Sequence, residues 1–183
     1  AWDLLRRDVG EPSQRLADAW HTGHRVLGRD GRVLRELTSD LELRGQPLLL
    51  ADIGPRLVQS TLTSEDAAFY AHHGVDRAAI ARAMTQNIRH GRMVSGASTI
   101  TQQLVKLLDS RGLPAKRSLA GKLSEAARAQ NLEEVLTKDE ILQEYLNRLP
   151  YGHGLVGPEA AARAYFGVAS RDLSWAQAAF LAV

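Results

Sequence analysis

The stretch Ser98-Thr-Ile-Thr-Gln-Gln-Leu-Val-Lys-Leu-Leu108 repeats apolar residues about one helical turn apart, with polar residues between them. It opens with two hydroxyl residues, whose side chains commonly cap the N-terminal end of a helix. The sequence therefore predicts an amphipathic helix over residues 98–108, capped by Ser98 or Thr99.

Helical periodicity continues on both sides of this stretch. Pro55 suits a first helical turn, and Gly91 suits the end of a helix that begins at Arg77. Thr137, followed three residues later by Glu140, has the spacing of a capping box. Helices are predicted over residues 48–68, 77–89, 119–136, 138–146, 158–166 and 174–183.

The N-terminal part has a different pattern. Two short apolar runs between residues 24 and 36 flank Asp30-Gly31, a dipeptide typical of tight turns, and predict a β-hairpin. Residues 111–116, which include Gly112 and Pro114, are predicted to form a loop. The predicted fold class is mainly α, with a short N-terminal β-hairpin.

Composition sets outer limits on the class of protein. The chain has 183 residues, 44% of them hydrophobic and 24% charged, which suits one globular domain. The sequence contains no cysteine, which excludes disulfides, thiol nucleophiles and cysteine metal sites. No apolar run is long enough to span a membrane, so a soluble chain is expected. Its last residues form an apolar helical pattern, as expected of a piece of a longer protein.

Positive charge is concentrated in the middle of the chain. The formal net charge is +2, but residues 77–122 contain nine Lys or Arg and a single acid, Asp109, a local net charge of +8. Such a segment indicates an anionic partner: nucleic acid, an acidic membrane surface or a phosphorylated substrate. A solvated basic face is an equally good interpretation of charge alone.

Three segments carry groups suited to catalysis or binding. Residues 65–74 contain two acids, two histidines and a glycine. If residues 65–72 were helical, Glu65, Phe69 and His72 would share a face, and the ring would desolvate a carboxylate able to act as a general base. An exposed acid and a histidine at the end of a helix explain the same pattern, whereas zinc is disfavoured because adjacent histidines rarely bind one ion.

The other two segments offer donors and a charge pair. Residues 96–103 place hydroxyls and amides at a predicted helix N-terminus, which suits a phosphate or a sugar hydroxyl but also an ordinary cap. Lys122 and Glu125 are three residues apart, so they share a helical face, as many surface ion pairs do.

Together, and in this order, these segments resemble the motifs of the family 51 glycosyltransferases, found in class A penicillin-binding proteins and monofunctional peptidoglycan transglycosylases. The resemblance runs from about Arg25 to the end. The first motif is complete at Glu65, Asp66, Phe69, His72 and Gly74, the second from Gly96 to Gln103, and the fourth at Lys138, Ile141, Leu142, Tyr145, Leu146 and Asn147.

Two positions depart from the family pattern. The third motif keeps Lys122 and Glu125 but has Gly121 where the family has arginine, and the closing region has Gln177 where a glutamate is usual. Gly121 and the sequence from Asn147 to Gly152 are most similar to the C-type class A proteins. Lys116 or Arg117 could supply the missing cation.

The resemblance implies a lysozyme-like fold with a helical head lobe and a smaller membrane-associated jaw lobe at about residues 77–97. Residues 1–24 would be an N-terminal extension, and residues 25–183 the glycosyltransferase domain, truncated at its C-terminal end.

The implied reaction polymerises lipid II, with Glu65 as the general base that deprotonates the acceptor 4-hydroxyl and undecaprenyl pyrophosphate as the leaving group. Lys122 would bind the pyrophosphate. Glu125, the second catalytic residue, would hold that lysine or a divalent cation, Mg or Mn; no organic cofactor is implied. The predicted substrate-binding residues are Asp66, Phe69, His72, Ser98, Thr99, Gln102, Gln103, Lys106, Lys122 and Asn147.

The implied partners are lipid II, the growing glycan strand and a membrane surface, with moenomycin as an inhibitor. The enzyme would act at the extracytoplasmic face of the bacterial inner membrane. The predicted membrane-contacting residues combine an apolar set with cations: Ile80, Met84, Ile88, Met93 and Val94 with Arg82, Arg89 and Arg92. Packing against a core explains Ile80 and Met84 equally well.

Three alternatives stay open on sequence. A lysozyme-like glycoside hydrolase would use Glu65 and Glu125 as acid and base toward water. A non-catalytic lipid- or glycan-binding domain could have lost activity together with the motif arginine. A nucleic-acid binder would explain the charge but not the order of the motifs, so nucleic acid is not a predicted partner.

Overall fold

The computed structural model describes residues 16, 24–30, 33–37, 43–90, 98–110 and 119–182. The chain divides into two compact units, Ala1–Leu16 with Glu65–Ile141, and Ala17–Ser64 with Leu142–Val183. We call these the first and second units. The predicted head and jaw lobes have other boundaries and stay predictions. The predicted loop at 111–116 lies outside the described residues, as do Arg92, Met93 and Val94 of the predicted membrane-contacting set.

Helices dominate the described chain, as predicted. The helices are α1 (Pro55–Glu65), α2 (Arg77–His90), α3 (Ile100–Ser110), α4 (Leu119–Val135), α5 (Lys138–Arg148), α6 (Pro158–Phe166) and α7 (Trp175–Leu181), with 3-10 turns at Leu50–Asp52 and Ser170–Asp172. None of the helices in the described ranges is both long and apolar enough to cross a membrane.

Short strands complete the second unit. Strands β1 (His24–Leu27) and β2 (Val33–Leu37) form the predicted antiparallel hairpin, with Val26 opposite Arg35 and a register shift after Val26. Strands β3 (Arg44–Gly45) and β4 (Leu155–Val156) pair in parallel.

Two of the predicted helix caps form in the first unit. Thr99 precedes α3: its hydroxyl accepts the Gln102 N–H at 3.2 Å, and Gln102 Oε1 accepts the Thr99 N–H at 3.0 Å, which is a capping box. Before α5, the Thr137 N–H donates to Glu140 Oε2 at 2.8 Å, and this hydrogen bond lowers the pKa of Glu140. Reciprocal bonds of this kind satisfy amides that have no partner within their own helix.

The core of the first unit lies between α3 and α4. Ile100, Leu104 and Val105 on α3 are fully buried, as are Ala129 and Leu132 on α4. The apolar repeat of residues 98–108 therefore faces the core, as the periodicity predicts.

One helical prediction was wrong. Of the helix predicted over 48–68, α1 spans only Pro55–Glu65: residues 50–52 form a 3-10 turn, and residues 67–71 form turns. The buried Asp66 makes hydrogen bonds to a distant backbone amide and to a histidine, and those bonds replace continuation of the helix. Glu65, Phe69 and His72 therefore share no helical face.

Candidate active site

The predicted base stands at a helix end. Glu65 is the last residue of α1 and is exposed. Gln103, in α3, donates from Nε2 to Glu65 Oε2 at 2.7 Å. One carboxylate oxygen is thus held by an amide, while the side chain stays accessible to a substrate.

Phe69 does not provide the predicted aromatic cover for this carboxylate on a shared helical face. It is fully buried, its ring lies 4.4 Å from Lys138 Nζ, and its neighbour Tyr70 donates to Asp139 Oδ1 at 2.9 Å. Partial burial and this hydrogen bond raise the pKa of Tyr70 to about 12. The turn segment after Glu65 is therefore attached to the start of α5.

Asp66 and His72 connect the same segment to α3. His72 Nε2 lies 2.9 Å from Asp66 Oδ2, which also accepts the Ile100 N–H at 3.0 Å. The two side chains are only 8% and 4% exposed. Asp66 thus accepts the first backbone amide of α3, a group that no residue of that helix could satisfy.

Thr99 and Gly74 make a second connection between these segments. Thr99 Oγ1 donates to the Gly74 carbonyl at 2.7 Å. Gly74 has φ of +74°, and a Cβ there would stand 2.8 Å from the backbone carbonyl carbon of Ala129 in α4. Only glycine fits both this backbone conformation and this close approach.

A cationic site is built from α4 and the residue before α3. Lys122 Nζ donates to Ser98 Oγ at 2.8 Å and to Glu125 Oε1 at 2.5 Å. The lysine side chain is 47% exposed and that of Glu125 only 18%. Glu125 therefore orients an ammonium group that can still reach a ligand, while Gly121 adds no side chain beside it.

The structure assigns the predicted substrate-binding residues to different surroundings. Lys106 is exposed on α3, whereas Thr99 and Gln102 are 2% exposed and occupied by their capping box. Asn147 belongs to the second unit, where its side chain accepts the Leu48 N–H at 2.9 Å and donates to the Leu48 carbonyl at 2.8 Å.

Glu133 on α4 was not among the predicted site residues. Its side chain is 3% exposed and bonds Thr101 and Lys138. A sequence signal existed, because Glu133 is one helical turn after Ala129, an apolar position of the helix predicted over 119–136.

The described residues do not form a metal site made of protein ligands alone. Nowhere in the described ranges do three or more His, Asp or Glu side chains come together in a way that could hold an ion. Glu125, the predicted metal ligand, already has Lys122 Nζ at 2.5 Å. A divalent cation there would depend on phosphate oxygens of a substrate for most of its ligands.

Comparison with known proteins assigns the family. The transglycosylase family model matches residues 30–183. Over 158 residues the chain is 39% identical to penicillin-binding protein 1C of Escherichia coli K12, covering 86% of this chain and 20% of that protein. Over 149 residues it is 40% identical to the biosynthetic peptidoglycan transglycosylase of Nitrosospira multiformis, covering 81% of this chain and 64% of that protein.

Over 133 residues the chain is 43% identical to penicillin-binding protein 2D of Bacillus subtilis, covering 73% of this chain and 19% of that protein. The chain thus spans about a fifth of the length of the penicillin-binding proteins it matches. The chain belongs to the transglycosylase family, a class of glycosyltransferase domains, and the predicted resemblance is confirmed.

Proposed function

We propose that this domain is a peptidoglycan glycosyltransferase that joins lipid II units into glycan strands, with Glu65 as its general base. The observation that carries the proposal is the exposed Glu65 carboxylate held by Gln103 Nε2 at 2.7 Å. A general base must be oriented and also within reach of the hydroxyl that it deprotonates.

The reaction forms one glycosidic bond and breaks one bond to phosphate. The acceptor 4-hydroxyl oxygen attacks the anomeric carbon of the growing strand, and its proton passes to Glu65. The bond between that carbon and the pyrophosphate oxygen breaks, and undecaprenyl pyrophosphate leaves with the electron pair.

The leaving group develops negative charge, which a fixed cation can stabilise. Lys122 suits this task because Ser98 and Glu125 hold its ammonium group while 47% of its side chain stays exposed. Gln103 and Ser98 are the second-motif side chains that directly contact these two site residues, so we assign substrate positioning to them first. The divalent cation, Mg or Mn, stays a prediction, and no step here depends on it.

The proposed partners follow from the same reaction. Lipid II and the glycan strand are the substrates, moenomycin the expected inhibitor, and the extracytoplasmic face of the inner membrane the expected location. Helix α2 supports a membrane surface as a partner, because it exposes Arg77, Arg82 and Arg89 together with Ile88, an apolar residue that is 78% exposed.

The decisive experiment is polymerisation of labelled lipid II in detergent by the wild-type chain and by Glu65→Gln. We expect Glu65→Gln to lower kcat at least about 100-fold, because loss of general-base catalysis typically costs two to four orders of magnitude. Glu134→Gln, an exposed acid on α4, is the matched control and should keep wild-type activity.

Other outcomes separate the alternatives. Binding of lipid II by a folded wild-type chain that makes no polymer would favour a non-catalytic binding domain. Cleavage of soluble glycan without polymer would favour a hydrolase. Full polymerisation by Glu65→Gln would show that another group is the base.

A further inference from the structure

Glu133 is a buried acid that the proposed chemistry does not use. It lies near the end of α4, and its side chain is 3% exposed. Removing a carboxylate from water is costly unless it is paired and hydrogen-bonded. The partners of Glu133 must therefore stay in place for this part of the first unit to be stable.

Those partners come from three other segments. Glu133 Oε1 accepts from Thr101 Oγ1 at 2.5 Å and from Lys138 Nζ at 2.7 Å. Glu133 Oε2 lies 3.4 Å from His73 Nδ1. One carboxylate thus joins α4 to α3, to the start of α5 and to the turn segment that follows Glu65.

Two of these contacts lead to the proposed base. Thr101 is fully buried and lies two residues before Gln103 on α3. Lys138 Nζ stands over the ring of Phe69, four residues after Glu65. Both members of the Glu65–Gln103 hydrogen bond are therefore anchored, through short paths, to Glu133.

We propose that Glu133 is a positioning residue that sets α3 against the segment after Glu65 and so keeps Gln103 within hydrogen-bonding distance of the base. This inference rests on the proposed function for its kinetic consequence. Glu133 acts through Thr101 and Lys138 and does not touch the substrate.

The first test is Glu133→Gln, which keeps the shape and an acceptor for Thr101 but removes the charge that pairs with Lys138. We expect kcat to fall about 10- to 100-fold, since a misplacement of about 1 Å can cost that much. KM should stay within about threefold, because Ser98 and Lys122 are unaffected. The neighbouring Glu134→Gln should leave both constants unchanged.

Thr101→Val, which removes only the hydroxyl donor, should change kcat in the same direction by a smaller factor. A partly unfolded variant would also lose kcat, so Glu133→Gln is also made in a Gln103→Ala background. If Glu133 acts through the Gln103–Glu65 contact, Glu133→Gln should lower kcat there by no more than about twofold. A full additional loss in that background would overturn the inference, as would a raised KM with kcat unchanged.

A readout that needs no activity separates this inference from the proposed function. The side-chain amide signal of Gln103, assigned with Gln103→Ala, should shift in Glu65→Gln, and Glu133→Gln should move it in the same direction while Glu134→Gln does not. Such a shift in a chain that makes no polymer would support the positioning link and count against the proposed function. An unmoved signal in an active chain would overturn the link alone.

Discussion

Thr99 and Gln102 are buried and bonded to each other, whereas Ser98 and Gln103 contact Lys122 and Glu65. All four had the same predicted role of positioning substrate. Their surroundings indicate two tasks, because a buried side chain whose bonds are already made has nothing to offer a ligand. We therefore expect changes at the first pair to lower stability and changes at the second pair to lower activity.

Gly74→Ala should be strongly destabilising. The substitution would place a Cβ at a φ of +74° and 2.8 Å from the Ala129 backbone. The backbone conformation alone costs about 1–2 kcal/mol, and the steric overlap adds about 1–3 kcal/mol. The free energy of unfolding, measured by urea denaturation, should fall by the sum of the two.

Gly167→Ala is the matched control for this prediction. Gly167 has nearly the same φ, +71°, but nothing lies within 4 Å of the added Cβ. Gly167→Ala should therefore lower the free energy of unfolding only by the cost of the backbone conformation, about 1–2 kcal/mol. If both variants lost the same free energy of unfolding, the closeness of the α4 backbone would impose no steric limit at Gly74.

The segment between α1 and α2 shows how a tertiary contact ends one helix and a local cap begins another. The Asp66 carboxylate accepts a hydrogen bond from the first backbone N–H of α3, and the chain turns at Asp66 instead of extending α1. Ten residues later Asp76 accepts the Ala79 N–H at 2.8 Å and caps α2. Two aspartates thus define both boundaries of the segment that carries His72 and Gly74.

Asp76 gives the first turn of α2 a pH-dependent stability. Its hydrogen bond from the Ala79 N–H, with the nearby Arg82, holds its pKa below the ordinary value of 3.8. Asp76→Ala should cost about 1 kcal/mol at pH 7, as is typical of a lost N-cap. Because the folded-state pKa is lowered, the wild-type advantage is present above pH 3.8 and lost as pH falls through the folded-state value.

The melting temperatures of wild type and Asp76→Ala, compared between pH 7 and pH 3, measure how the stability advantage of wild type is lost. Asp76→Asn keeps an acceptor but has no charge to titrate, so its difference from Asp76→Ala should stay constant over the same range. A wild-type advantage that does not change with pH would rule out the carboxylate as its source.

The two units carry different parts of the predicted chemistry. Glu65, Gln103, Ser98, Lys122 and Glu125 belong to the first unit, as does α2 with its exposed cations. Asn147 belongs to the second unit, where its side chain makes hydrogen bonds to the Leu48 backbone. Its substrate-binding role stays a prediction.

Binding to membranes should depend on α2. The chain should bind vesicles that contain anionic lipid, and Ile88→Ser should weaken binding about tenfold, because an apolar side chain of this size gains about 1.5–3 kcal/mol on burial. Val135→Ser, which changes another exposed apolar residue of the first unit, is the control. Co-sedimentation at low and high salt measures the effect, and equal binding by the two variants would contradict a role for α2.

The sequence by itself determined the helical class, the hairpin, the capping box at Thr137 and the family. These features depend on residues close together in the chain, where periodicity and cap chemistry can be recognised. The order and spacing of the motifs also predicted Glu65, Lys122 and Glu125 as site residues without any knowledge of contacts.

Only the tertiary structure decided that residues 67–71 turn, that Thr99 and Gln102 are buried, and that Glu133 is buried and bonded to three other segments. The bonds at these places join residues far apart in sequence: 34 residues for Ile100 with Asp66, 25 for Thr99 with Gly74 and 32 for Thr101 with Glu133. Helical propensity and periodicity are local, and they cannot show which buried polar group meets which distant partner.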